Sequence, residues 1–87
     1  MWCMYFTYIL YSEKLNKYYV GSTNDLLRRL ADHNRGKTQY AKLGMPWELK
    51  YHEEFMSKTE AVRREMEIKK MKSRKYIEKL IASRIAG

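Results

Sequence analysis

A single cysteine, Cys3, and a single proline, Pro46, are all that this chain of 87 residues holds of the two residue types that most constrain a backbone. With one thiol no intrachain disulfide can form, so packing and hydrogen bonds must hold the core, and a reducing, cytosolic setting is expected. Long apolar runs are missing as well. The most hydrophobic stretch, Trp2 to Tyr11, covers half of the ~20 residues that span a bilayer, and it has neither a charged leader nor a small-residue cleavage site. It is expected to be a buried strand. Paired zinc ligands are wanting too. Cys3, His33 and His52 stand at no paired spacing, and His52-Glu53-Glu54 has no second histidine four positions after the first.

Negative charge is scarce. Asp and Glu number 10 against 18 Lys and Arg, a formal charge of +8, and a field of that sign concentrates polyanions. Nucleic acid is the first partner to expect. A membrane surface is a weaker expectation, because the basic residues are spread over several elements and do not line one amphipathic helix. A chain of this length is one domain, burying roughly 60–65% of its unfolded surface around a single modest core.

The pattern of side chains predicts the element order β-β-α-β-α-α. Trp2 to Tyr11 is rich in aromatic and β-forming residues, residues 12–17 are polar, and Tyr18 to Ser22 is a second β-like run, which together read as a hairpin. Thr23, Asn24 or Asp25 can cap a helix whose apolar stripe is Leu26, Leu27, Leu30 and Ala31, ending at Gly36. Gly36 to Pro46 reads as a loop carrying Lys37, Tyr40 and Lys42, and Trp47 to Phe55 alternates as a third strand would. From Ser57 onward the pattern is helical, with Ala61, Val62, Met66, Ile68, Met71, Ile77, Leu80, Ile81 and Ile85 apolar and a break at Lys72-Ser73. The fold class is α+β.

Within that frame Glu65 stands out. It lies four residues after Ala61 and three before Ile68, which turns it toward the apolar face. A carboxylate there needs a partner, either a cation or a basic side chain, unless it swings outward to pair with Lys69 at i+4. Arg29 and His33 stand at i and i+4 on the first helix and project from one side of it. The plain account pairs Arg29 with Asp25 and leaves His33 in water. The functional account has Arg29 bind a phosphate oxygen, for which its planar fork of donors is suited. Tyr8 and Tyr19 are ordinary sheet aromatics on one reading. On the other they are general bases, which calls for a nearby cation, since a phenol of pKa near 10 is otherwise protonated at neutral pH.

Phe6-Thr7-Tyr8, the run from Tyr19-Val20-Gly21 through Arg29 to His33, and the later segment Glu60 to Lys70 around Glu65 together resemble the GIY-YIG nuclease domain. The likeness covers nearly the whole chain and is strongest to small standalone proteins of the URI or UPF0213 type, akin to the N-terminal domain of the repair excinuclease. It implies the GIY-YIG endonuclease fold, a three-stranded antiparallel sheet flanked by helices. It also implies a metal-dependent endonuclease in which Glu65 holds one divalent ion, Mg²⁺ or Mn²⁺. In that family pattern Tyr19 activates the attacking water, Tyr8 positions it or shares the role, Arg29 stabilises the scissile phosphate and His33 sits near the nucleophile. Gly21 allows close backbone approach. Two departures stand beside the match. Phe6 and Thr7 replace the glycine and isoleucine of the first motif, and no asparagine follows Glu65.

The expected substrate is nucleic acid, DNA in repair or recombination by family analogy. Lys37, Lys42, Lys69 and Lys72 are candidates for backbone contacts, which carry affinity but no sequence information. A homodimer or a protein partner is the expected means of recognising substrate structure, because so small a domain has little surface beyond its site. Two other classes remain. A nucleic-acid-binding module on the same fold would bind in a salt-sensitive way without cleaving. A protein-interaction domain would instead expose an aromatic patch at Trp2, Trp47 or Tyr40.

Overall fold

Aromatic and β-branched residues from Tyr5 to Ser12 form strand β1, and a four-residue turn returns the chain into β2, Lys17–Thr23. Asn16 closes that turn at φ 54°, a left-handed conformation that asparagine tolerates better than most side chains. The structure is a computed structural model and describes residues 4–86. Trp2 and Cys3, at the expected start of the first strand, lie outside what it describes, as does the side chain of Ile85, expected to be apolar.

The remaining elements are α1 (Leu26–Asn34), α2 (Gln39–Gly44), β3 (Trp47–Phe55), α3 (Lys58–Met71) and α4 (Arg74–Ala86). The antiparallel sheet has the order β2-β1-β3, so β1 is central and both of its partners are edges. Side chains alternate along β1 and divide the interior in two. Ile9 joins Val20, Tyr51 and Ile68 under α3 and α4, while Tyr8 and Leu10 join Trp47 on the opposite face, under Leu26 and Leu30 of α1. No described helix is long and apolar enough to cross a membrane.

Caps follow the sequence. Asp25 is the N-cap of α1, its carboxylate accepting the Arg28 N–H at 3.1 Å, and Ser57 caps α3 by accepting from Glu60. The expected break at Lys72-Ser73 is there, with Lys72 in the left-handed region at φ 47°. The expected loop between Gly36 and Pro46 instead contains α2. Thr38 caps it by accepting the Ala41 N–H at 3.1 Å, and the Ala41 carbonyl accepts the Trp47 indole N–H at 2.9 Å. A helix held by a contact to the next strand leaves little local periodicity to read.

Two expected stripes are narrower than the sequence suggests. On α1 the inward line is Leu26, Leu30 and His33, at i, i+4 and i+7, and Leu27 is 79% exposed. Ala31 is exposed as well. On α3 Ala61 and Ile68 are buried, whereas Met66 and Met71 face solvent. Residues one position along a helix are turned by about 100°, and one sheet face covers only a single row. Glu65 lies on the buried row with Ala61 and Ile68. The Thr7 hydroxyl fixes that row to the sheet by donating to the Ala61 carbonyl at 2.7 Å. Threonine in place of the motif's isoleucine is therefore accommodated, its buried hydroxyl having an acceptor on α3.

Candidate active site

Tyr8 is the centre of the arrangement. It is 1% exposed and pairs across the strands with Gly21, so its phenol lies over the glycine at the free edge of the sheet. Burial, chiefly, holds the phenol pKa well above its ordinary value. Tyr19 and Glu65 add to the rise and Arg29 opposes it. Those electrostatic neighbours come from three different elements, β2, α3 and α1. At neutral pH that hydroxyl keeps its proton and can donate a hydrogen bond.

Tyr19, half-buried, stacks on Tyr8 with ring centroids 6.3 Å apart. It also meets His33 edge-on at 4.7 Å and Trp47 at 6.2 Å. His33 is buried and does not face water as the plain account had it. Its Nδ1 lies 3.1 Å from the Arg29 carbonyl. A carbonyl only accepts, so Nδ1 carries a proton and donates it there.

Arg29 is exposed and, among the described residues, makes no ion pair, so the expected alternative of a pair with Asp25 is not formed. It lines an open cleft together with Tyr19, His33, Arg28, Lys37 and Tyr40. The two carboxylates of the same cleft are already engaged. Asp25 caps α1, and Asp32 is held below the usual carboxylate range mainly by its hydrogen bond from Arg35, with Lys37 3.8 Å away. The cleft is left with free guanidinium donors and a field that suits an anion.

Glu65 has its alternative partner. The Lys69 ammonium donates to Glu65 Oε2 at 2.6 Å, with the glutamate side chain 18% exposed and the lysine 53% exposed. Lys69 and Lys72 line a second groove beside β2 with Lys17 and Arg74, and Tyr19 borders both grooves. Lys42 sits exposed on α2 and does not line the cleft.

Three residues outside the predicted set shape the site. Trp47 is 2% exposed, which removes it from any surface patch, and packs 5.6 Å from His33. Asn34 clamps its backbone in both directions, donating to the Trp47 carbonyl at 3.0 Å and accepting its N–H at 2.6 Å. Tyr40 stands on α2 at the cleft wall. Asn34 directly follows the helix position of His33, but nothing local in the sequence marks it as a clamp.

No three His, Cys, Asp or Glu side chains converge among the described residues, so a divalent ion would have at most two such ligands from the protein. Such a donor set fits Mg²⁺, which keeps several waters and is held by one or two carboxylates plus substrate phosphates.

The family model for the GIY-YIG catalytic domain matches residues 4–77. A UPF0213 protein of Bacillus pumilus is 44% identical over 66 residues, covering 71% of this chain and 67% of the relative. The UPF0213 protein YazA of Bacillus subtilis is 44% identical over 69 residues, 75% of this chain and 70% of the relative. The solution NMR structure of a UPF0213 protein from Bacillus halodurans superposes with a TM-score of 0.57 at 35% identity, covering 91% of this chain and 83% of that one.

Proposed function

The chain belongs to the GIY-YIG family, and on that premise we propose that it is a metal-dependent endonuclease that hydrolyses phosphodiester bonds, with DNA as substrate. The observation that carries the reading is the open basic cleft lined by Tyr19, Arg29 and His33, with the Tyr8 ring stacked behind Tyr19.

Each residue has work that its position supports. Arg29, free of protein carboxylates, grips the scissile phosphate and offsets the charge that grows on its oxygens. Tyr19 borders the cleft and, as a phenolate whose own proton has passed to solvent, takes the proton of the attacking water. Tyr8, kept protonated by burial, donates to that water or to the phosphate and fixes its direction. His33 holds the Tyr19 ring edge-on and is itself oriented by the Arg29 carbonyl. Glu65 would hold Mg²⁺ or Mn²⁺, which when bound draws charge from the phosphate and the leaving oxygen. Lys37 in the cleft and Lys69 and Lys72 in the adjoining groove supply backbone contacts, and these carry no sequence information. Repair or recombination is the setting this reading assigns, by family analogy alone.

A second reading, binding without cleavage, is favoured by one observation: Lys69 already neutralises Glu65 at 2.6 Å. Both readings predict salt-sensitive binding. They part in a panel of labelled single-stranded, duplex, nicked and branched DNA incubated with Mg²⁺, Mn²⁺ or EDTA. Products that form only with the ion support the nuclease. Salt-sensitive binding with no product from any substrate leaves the binding module.

A further inference from the structure

The cleft is larger than a phosphate requires. Its volume is about 660 Å³, within the range of roughly 300–1,000 Å³ that takes a whole organic ligand, so there is room for a nucleotide. Tyr40 forms part of its wall and is 41% exposed, although the rings beside it are packed. Its centroid lies 5.8 Å from Trp47 at 41° and 6.4 Å from Tyr19 at 38°. The ring rests on the aromatic cluster and still opens to the cleft.

The helix that carries it is fastened on both sides of Tyr40. The Thr38 cap precedes it, the Ala41 carbonyl accepts from Trp47 Nε1, and the Ser12 hydroxyl donates to the Gly44 carbonyl at 2.7 Å. Gly44 is itself pressed against the Trp47 ring and Leu15, where a β-carbon would collide. A rigid, half-open aromatic face among Arg28, Arg29 and Lys37 matches neither a core residue nor a contact to a phosphate chain, which needs cations alone. It matches the pairing of basic groove and π surface on which single-stranded bases stack.

We propose that Tyr40 is the stacking platform for an unpaired base next to the phosphate gripped by Arg29, so that the cleft takes a nucleotide lying outside a double helix. The inference rests on the reading of the cleft as the cleavage site. Bases inside an intact duplex are covered on both faces, and one must leave the stack before it can reach the ring. Single-stranded, flapped or frayed DNA is then the preferred substrate class.

The test is equilibrium binding in EDTA, where no cleavage occurs, of single-stranded oligonucleotides carrying 2-aminopurine at successive positions, with a duplex of the same sequence for comparison. Wild-type protein is expected to quench one position strongly. Tyr40→Ala is expected to lose that quench and to bind single strands about 5- to 100-fold more weakly, while its duplex affinity stays within about 2-fold. Tyr40→Phe retains both the quench and the affinity, which separates stacking from a role of the hydroxyl, and unchanged thermal unfolding of both variants excludes misfolding. Equal single-strand affinity for wild type and Tyr40→Ala overturns the proposal, as does an equal loss on duplex. Metal-dependent cleavage that is indifferent to Tyr40 sinks this inference and leaves the nuclease. Tyr40-dependent quenching without cleavage under any ion does the reverse.

Discussion

A β-carbon built on Gly21 would stand 2.5 Å from the Tyr8 hydroxyl oxygen and 2.7 Å from its Cζ. The glycine of one strand is thus the floor on which the central phenol of the other rests, and the pairing register sets them opposite each other. Gly21→Ala must push the Tyr8 ring aside, because both are buried and the neighbouring Tyr19 Cε1 is already 3.2 Å from the same point. Overpacking of this kind destabilises by about 1–3 kcal/mol, which lowers Tm by roughly 5–20 °C in a domain of this size. Displacement of the phenol is expected to reduce cleavage by about 100-fold. Thermal unfolding and single-turnover cleavage of the one variant check both.

Alkaline stability follows from the buried phenols. Burial first, and the hydrogen bond to Glu53 next, push the Tyr51 pKa up to about 12, and burial raises Tyr8 as well. The folded chain then keeps protons that the unfolded chain releases near its ordinary value of ~10. Stability from this source is whole below ~10 and is lost as pH rises toward ~12. Tm is expected to fall steeply across that window in the wild type and less steeply in Tyr51→Phe. An identical alkaline slope in the two proteins would count against the assignment.

A metal ion held by Glu65 as proposed would compete with Lys69 for the same carboxylate oxygen. An exposed ion pair of this kind is worth about 0.2–1 kcal/mol, so Lys69→Gln should lower the Mg²⁺ concentration at half-maximal cleavage by about 1.4- to 5-fold. Binding of DNA in EDTA, measured alongside, separates this from loss of a phosphate contact, which would weaken affinity and leave the metal dependence where it was.

On the far face of the sheet Arg64 donates through Nε to both Glu53 oxygens at 3.1 Å, with each side chain 22% exposed. Arg64→Ala leaves that carboxylate half-buried without its cation, at about 1–3 kcal/mol. Its exposed neighbour Arg63 serves as control, and Arg63→Ala should stay within about 0.5 kcal/mol of wild type. Urea unfolding of the two variants distinguishes them.

Local pattern carries much of the fold. Alternation marks β3 with both of its ends, the polar step at Lys72-Ser73 marks the break between α3 and α4, and Asp25 is one of three adjacent residues suited to cap α1. Glu65 is legible because a carboxylate on a buried helical row is conspicuous. What escapes is set by contacts distant in sequence. The helix α2 depends on Trp47 and Ser12, and the Asn34 clamp bridges 13 positions. The apolar stripes read wider than they are at Leu27 and Met66, since a sheet face covers a single row and period alone cannot say how wide the covered strip is. The likeness to a family supplies roles for Tyr8, Tyr19, Arg29 and His33 that composition and spacing do not distinguish from packing.

The most direct measurement is single-turnover cleavage of the preferred DNA by wild type and Glu65→Gln in Mg²⁺, Mn²⁺ and EDTA, with DNA affinity determined in EDTA for both. The account predicts ion-dependent products from the wild type, a loss of about 100- to 1,000-fold in the variant, and affinities for the two that agree within about 2-fold. Cleavage by Glu65→Gln at the wild-type rate, or no ion-dependent product from the wild type on any DNA, would contradict it.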